Sequence, residues 1–168
     1  ELAGKGINVS RGLQLANIAA PGVVPIGNAD PGVLERTGSG FLTPLWIEGT
    51  LRVSTTVVEY DGPTTKINES PRPLKQIDWD AVVALTEKTV IENDAKWLVV
   101  AGAHPEIVET GEVIDLHPLF DRMKSLGVKV VLDTSGPALR YWAQQGKATI
   151  MKPNAHELAE CVGRDLNT

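Results

Sequence analysis

The second half of this chain permits few folds. Three short segments that read as strands, Trp97 to Ala101, Val128 to Leu132 and Thr149 to Met151, are each followed by a helical pattern. The first is apolar throughout, as expected of a strand buried on both faces. Val113, Leu116, Leu119, Phe120, Met123 and Leu126 then recur at helical spacing until Gly127 stops them. Pro137 to Gln145 and Ala155 to Val162 read as two further helices, ended by Gly146 and Gly163. Upstream, Asp78 is placed to cap a helix reaching about Glu92. This β-α-β-α-β-α order predicts a parallel sheet with right-handed crossovers, hence an α/β domain. Ligands of such sheets bind beyond the C-terminal ends of the strands. Polar groups fall there after each run: Gly102 to His104, Asp133 to Gly136, and Lys152 to Asn154.

The organisation changes near residue 77. Before it, residues 7–18 read as a helix, and Gly22 to Gly27 and Leu42 to Ile47 as strands. Asn28 to Gly40 reads as a loop with a short helix. Arg52 to Tyr60 and Thr64 to Asn68 form a hairpin around the Asp61-Gly62-Pro63 turn. Its polar residues occupy both faces, so it is expected to project from the main body.

Composition narrows the function classes. A chain of 168 residues can bury one core. A net charge of -5 gives no electrostatic reason to expect nucleic acid or an anionic membrane. No apolar run approaches the roughly 20 residues that cross a bilayer. Cys161 is the single cysteine, which excludes an internal disulfide and leads us to expect a reducing, cytoplasmic location. The three histidines, His104, His117 and His156, lack metal-ligand spacing and read as surface or loop residues.

Several residues carry possible chemistry. "AGKGINVS", residues 3–10, sets Gly4 and Gly6 around Lys5 at a helix start, an arrangement that suits an anion; the Walker spacing is absent. It reads equally as a loop entering a helix. Asn8 lies near the same helix start. Arg52 and Lys66 on the hairpin read as edge charges that discourage aggregation, or as a cationic lid. Asp133 reads first as a helix cap or turn former. In "MKPNAHELAE", residues 151–160, Asn154 and Glu157 have capping-box spacing. That leaves Lys152 unexplained. Lys152, Asn154 and Glu157 together could hold a nucleotide phosphate and Mg²⁺, the Glu through water.

"AGKGINVS", "LRVS", "TKINESP", "AGAHP", "LDTSGPAL" and "KPNAHEL" occur here in an order that resembles the ribokinase-like sugar kinases. The phosphosugar branch, with 1-phosphofructokinase, tagatose-6-phosphate kinase and the minor 6-phosphofructokinase, is the most similar. The resemblance implies a doubly wound, Rossmann-like parallel sheet with a small β lid. The lid strands are expected at about 42–68 and the core at about 1–41 and 77–168. It implies that Gly4, Lys5, Asn8, Arg52 and Lys66 bind a phosphosugar. It assigns Lys152, Asn154 and Glu157 to ATP, with Glu157 also serving Mg²⁺. The implied activity is ATP-dependent phosphorylation of a sugar phosphate, fructose 1-phosphate first among the candidates. A non-catalytic sugar-phosphate-binding or regulatory relative is the alternative. A homodimer formed through the lid is a further implication.

Some positions depart from the family's pattern. Ala3 stands for its first Gly, Ser54 for its lid Asn, and Gly102-Ala103-His104-Pro105 for Gly-Ser-Leu-Pro. The Gly-Gly-x-x-Gly region is altered around Gly27 to Gly32. The family's Gly-Ala-Gly-Asp segment, which carries the anion hole and the catalytic base, does not occur in these residues. The chain is therefore expected to be part of a longer kinase, inactive by itself, with no catalytic residue assigned in it.

Overall fold

Why the chain forms two packed regions follows from where its apolar residues fall. The computed structural model describes residues 2–38 and 40–165, except the Lys66 side chain. The first region runs α1 (Lys5–Leu15), β1 (Gly22–Gly27), α2 (Val33–Arg36) and β2 (Leu42–Ile47). β1 and β2 pair in parallel, from Gly22 opposite Leu42 to Gly27 opposite Ile47. Leu2, Ile7, Ile26, Val33 and Leu42 form the small core between these elements.

A hairpin of β3 (Ser54–Val58) and β4 (Thr64–Asn68) follows, antiparallel and in a sheet of its own. Every residue of β3 is exposed, so the hairpin projects as its two-faced polarity predicts. The Leu42 to Ile47 stretch, grouped with the lid on sequence, pairs instead with β1.

The second region holds α3 (Gln76–Glu92), β5 (Trp97–Ala101), α4 (His117–Ser125), β6 (Lys129–Asp133), α5 (Gly136–Gln145), β7 (Ile150–Met151) and α6 (Ala155–Val162). The order β5-β6-β7 is parallel throughout, with Ala101 opposite Asp133 and Leu132 opposite Met151. This is the expected α/β architecture. β6 is the central strand, and Leu132 on it is fully buried. The main core packs Trp79, Val83, Leu116, Phe120, Met123 and Trp142 around it. The Phe120 and Trp142 rings meet edge to face at 5.0 Å, a favoured aromatic geometry.

Element ends differ from the sequence expectations for identifiable reasons. α1 stops at Leu15 rather than residue 18, because Asn17 turns left-handed and the Ile18 N–H donates back to the Leu13 carbonyl. Asp78 is not the cap of α3. The cap position is Lys75, and the Gln76 N–H donates to the Glu109 carboxylate at 3.0 Å. Asp78 sits in the first turn, where a negative charge complements the helix dipole. The helical spacing from Val113 overran α4, whose start is set by Pro118. Val113 and Glu106 form an isolated bridge instead. Among the described residues no helix is long and apolar enough to cross a membrane.

Candidate functional site

The C-terminal ends of the three parallel strands are tied together by backbone hydrogen bonds. The Gly102 N–H donates to the Asp133 carbonyl at 3.0 Å, and the Lys152 N–H to the Leu132 carbonyl at 3.1 Å. Asp133, last residue of the central strand, therefore lies in the middle of the rim. Its carboxylate is largely buried and accepts a hydrogen bond from Lys5 Nζ at 2.9 Å. Lys152 Nζ stands 3.4 Å from the other carboxylate oxygen. Lys5 Nζ also lies 3.9 Å from Glu157 Oε1. Two ammonium groups and two carboxylates thus meet where the three strands end.

Local structure explains how they arrive there. α1 starts against the end of β5, close enough that a Cβ on Gly6 would stand 3.8 Å from the Ala101 carbonyl oxygen. That helix has neither a side-chain cap nor an acidic residue in its first turn. Its leading N–H groups and the positive end of its dipole are left beside Lys5, a setting that attracts anions. Glu157 is held by the predicted capping box. Its N–H donates to Asn154 Oδ1 at 2.8 Å, and its Oε2 accepts from the Asn154 N–H at 2.8 Å. The box fixes one carboxylate oxygen and leaves the other facing Lys5. The same carboxylate thus caps α6 and faces Lys5.

The structure thus gathers Gly4, Lys5, Lys152, Asn154 and Glu157 on one rim. Asn8 lies exposed on α1 and accepts a hydrogen bond from Arg11 Nη1 at 3.2 Å. Arg52 is exposed at the root of the hairpin, and no hydrogen bond or ion pair ties it to the cluster among the described residues. The Lys66 side chain lies outside the described residues.

For two residues the sequence gives the place at the rim but not the surroundings. Asp133 reads as a turn former, yet the cap position of α5 is Ser135, and Asp133 instead joins the two lysines. Its position at a strand end is legible; that its strand is the central one, which sets it between the two lysines, is not. His104 reads as a loop or surface residue. It is in a loop, but both ring nitrogens are buried with no hydrogen-bond partner among the described residues. Nothing in the sequence marks a loop imidazole as buried.

Burial pushes the His104 pKa below its ordinary value, because the charged form loses hydration. The sign for stability follows. Unfolded, His104 takes up a proton as the pH falls through about 6.5; folded, it resists until lower pH. The unfolded chain then binds more protons, so stability declines from near neutrality downwards. Urea unfolding from pH 7.5 to pH 5 should show a larger loss for the native chain than for His104→Leu. Parallel losses would show that the imidazole is not linked to folding.

Known proteins resemble this chain over its whole length. The chain is 27% identical to a 1-phosphofructokinase of Vibrio cholerae over 172 residues, covering 99% of this chain and 51% of that protein. It is 29% identical to a 1-phosphofructokinase of Rhodobacter capsulatus over 171 residues, covering 99% and 52%. The crystal structure of phosphofructokinase-2 from Escherichia coli in complex with potassium superposes with a TM-score of 0.79 at 24% identity, over 100% of this chain and 54% of that one. The fold is that of the ribokinase-like sugar kinases. The sequence is similar to theirs from end to end. No family model matches. The chain spans about half the length of the curated relatives it matches.

Proposed function

We propose that this chain forms the phosphosugar floor and part of the nucleotide site of a kinase that converts fructose 1-phosphate to fructose 1,6-bisphosphate with ATP. The observation that carries the proposal is the junction of Lys5, Asp133 and Lys152 at the strand ends. It places two cationic groups side by side, as a reaction between two phosphate-bearing molecules requires. Gly4, Lys5 and Asn8 bind the sugar phosphate from α1. Arg52 and Lys66 cover it from the hairpin. Lys152, Asn154 and Glu157 receive the nucleotide. A hairpin with Val57, Val58 and Ile67 exposed also suits pairing with a second copy.

The site suits Mg²⁺ carried by a nucleotide. Glu157 offers a hard carboxylate oxygen beside Lys5. Among the described residues no group of three or more His, Cys, Asp or Glu side chains could hold a metal ion, so phosphate oxygens and water must complete its shell. When bound, the ion neutralises charge on the phosphates.

The chain's own groups bind and orient. In the free protein Asp133 engages both ammonium groups. An incoming phosphate competes for Lys5, and the dipole of α1 favours that exchange. Transfer breaks the bond between the γ-phosphorus and its bridging oxygen and forms a bond from the sugar hydroxyl oxygen to phosphorus. The hydroxyl proton needs an acceptor. Asp133 is committed to the lysines, and the resemblance assigns the base to the Gly-Ala-Gly-Asp segment, outside these residues.

Steady-state assays of the full-length protein test the proposal. With ATP, Mg²⁺ and fructose 1-phosphate we expect ADP release at about 1–100 per second, the ordinary range for kinases. Binding of fructose 1-phosphate without turnover would favour the regulatory relative, and absence of both would refute the sugar-phosphate assignment.

A further inference from the structure

A site that receives phosphates gains no affinity from a carboxylate, because like charges repel. Asp133 nevertheless stands in the middle of this one, with only 8% of its surface exposed. A buried carboxylate is costly unless it is paired and hydrogen-bonded. Its two oxygens serve different lysines. Oδ1 accepts from Lys5 Nζ at 2.9 Å, and Oδ2 stands 3.4 Å from Lys152 Nζ. Lys5 opens α1 and Lys152 follows β7, so one carboxylate joins two elements far apart in the chain. It is not spent on capping, since the cap position of α5 is Ser135 and that helix has no side-chain cap. Asp133 is the fixed member of the cluster. It pairs with Ala101 across the sheet, and its carbonyl accepts from the Gly102 N–H. The lysines are the movable members, with flexible four-carbon stems and side chains 42% and 63% exposed. Glu157 does not replace Asp133, because the capping box holds it and Lys5 Nζ is 3.9 Å away, beyond hydrogen-bond distance.

We propose that Asp133 is a positioning residue: it holds the ammonium groups of Lys5 and Lys152 where the two phosphate-bearing substrates meet, and it weakens the binding of each substrate in doing so. This rests on the kinase function proposed above. Phosphoryl transfer depends on positioned charges, and cations already in place need no reorganisation when the reaction occurs. Without the carboxylate the two ammonium groups repel each other and their stems explore other rotamers. The formal charges of Lys5, Lys152, Asp133 and Glu157 sum to zero. Removing the Asp133 charge leaves the cluster positive, which attracts any phosphate more strongly but orients it less well. Affinity and turnover should therefore move in opposite directions. A residue that only held the fold together would lower both.

Asp133→Asn in the full-length protein tests this. It keeps the size and one acceptor oxygen and removes the charge. Affinity for inorganic phosphate and for fructose 1-phosphate should rise about three- to tenfold. The kcat with ATP and fructose 1-phosphate should fall about 100-fold, the scale set by misplaced groups. Asp133→Glu keeps the charge, so its phosphate affinity should stay near native and part of the kcat should return. Affinity, kcat and thermal midpoint falling together would make Asp133 a structural residue. An unchanged kcat would show that the lysines need no positioning. Either result in an active native protein overturns this inference alone. A native protein without turnover on fructose 1-phosphate refutes the kinase function and this role with it. A measurement on the native protein decides the matter if the variants do not fold. Ammonium ¹⁵N relaxation should show Lys5 Nζ and Lys152 Nζ more restricted than Nζ of the exposed Lys124, and equal mobility overturns the proposal.

Discussion

Lys5→Met is expected to lower the affinity for fructose 1-phosphate by about 10- to 100-fold while leaving the chain folded. The magnitude is that of a hydrogen bond between charged partners. Methionine keeps an unbranched apolar stem and removes only the ammonium group. The stability cost should stay below about 1 kcal/mol, because Lys5 is 42% exposed and Asp133 retains Lys152 at 3.4 Å. Lys152→Met provides the contrast. It leaves the stronger Lys5–Asp133 pair in place and should weaken ATP binding more than sugar-phosphate binding. Calorimetric titration of both variants with both ligands gives a crossed pattern if the two lysines serve different phosphates. Equal losses for both ligands in both variants would mean that the cluster binds a single anion, and the two-ligand site would have to be abandoned.

That experiment depends on a junction only partly visible in the residues. The parallel sheet was legible because the apolar run Trp97 to Ala101 and the Val-rich stretch Val128 to Leu132 are separated by a helical period. The left-handed Gly146 and Gly163 mark helix ends that any residue with a Cβ would disfavour. Asn154 and Glu157 were legible as a capping box because it is local, spanning three residues. The pairing of Lys5 with Asp133 spans 128 residues. No local pattern encodes it; it follows only once β6 is known to lie between β5 and β7. Glu109 capping α3 was hidden for the same reason, since it reaches Gln76 from 33 residues away. Val113 misled because an apolar residue at helical spacing is equally suited to a bridge. There the competing signal, Pro118, sets where the helix begins.

The same dependence on remote backbone makes Gly27→Ala the most damaging of the small substitutions. Gly27 ends β1, and its neighbours Asn28 and Ala29 donate their N–H groups to the carbonyls of Ile47 and Gly49. A Cβ on Gly27 would stand 2.5 Å from the Gly49 carbonyl oxygen and 2.7 Å from the Thr50 carbonyl carbon. Both are backbone atoms, so no side chain can rotate aside. Either β1 moves from β2 or the Gly49-Thr50 segment shifts, and Arg52 stands two residues beyond Thr50. We expect a cost of about 1–3 kcal/mol, the usual range for overpacking, read as a lower urea midpoint. We also expect weaker sugar-phosphate binding, because the hairpin root carrying Arg52 is displaced. Gly12→Ala is the matched control: it lies inside α1 with no atom within 4 Å of the new Cβ. It should stabilise the chain by about 0.5–1 kcal/mol through the helix preference for alanine. If Gly27→Ala lowers stability but leaves binding intact, Arg52 does not reach the substrate and the hairpin is not its lid. If both fall together while Gly12→Ala gains, the close approach at Gly27 sets the position of the hairpin over the strand ends.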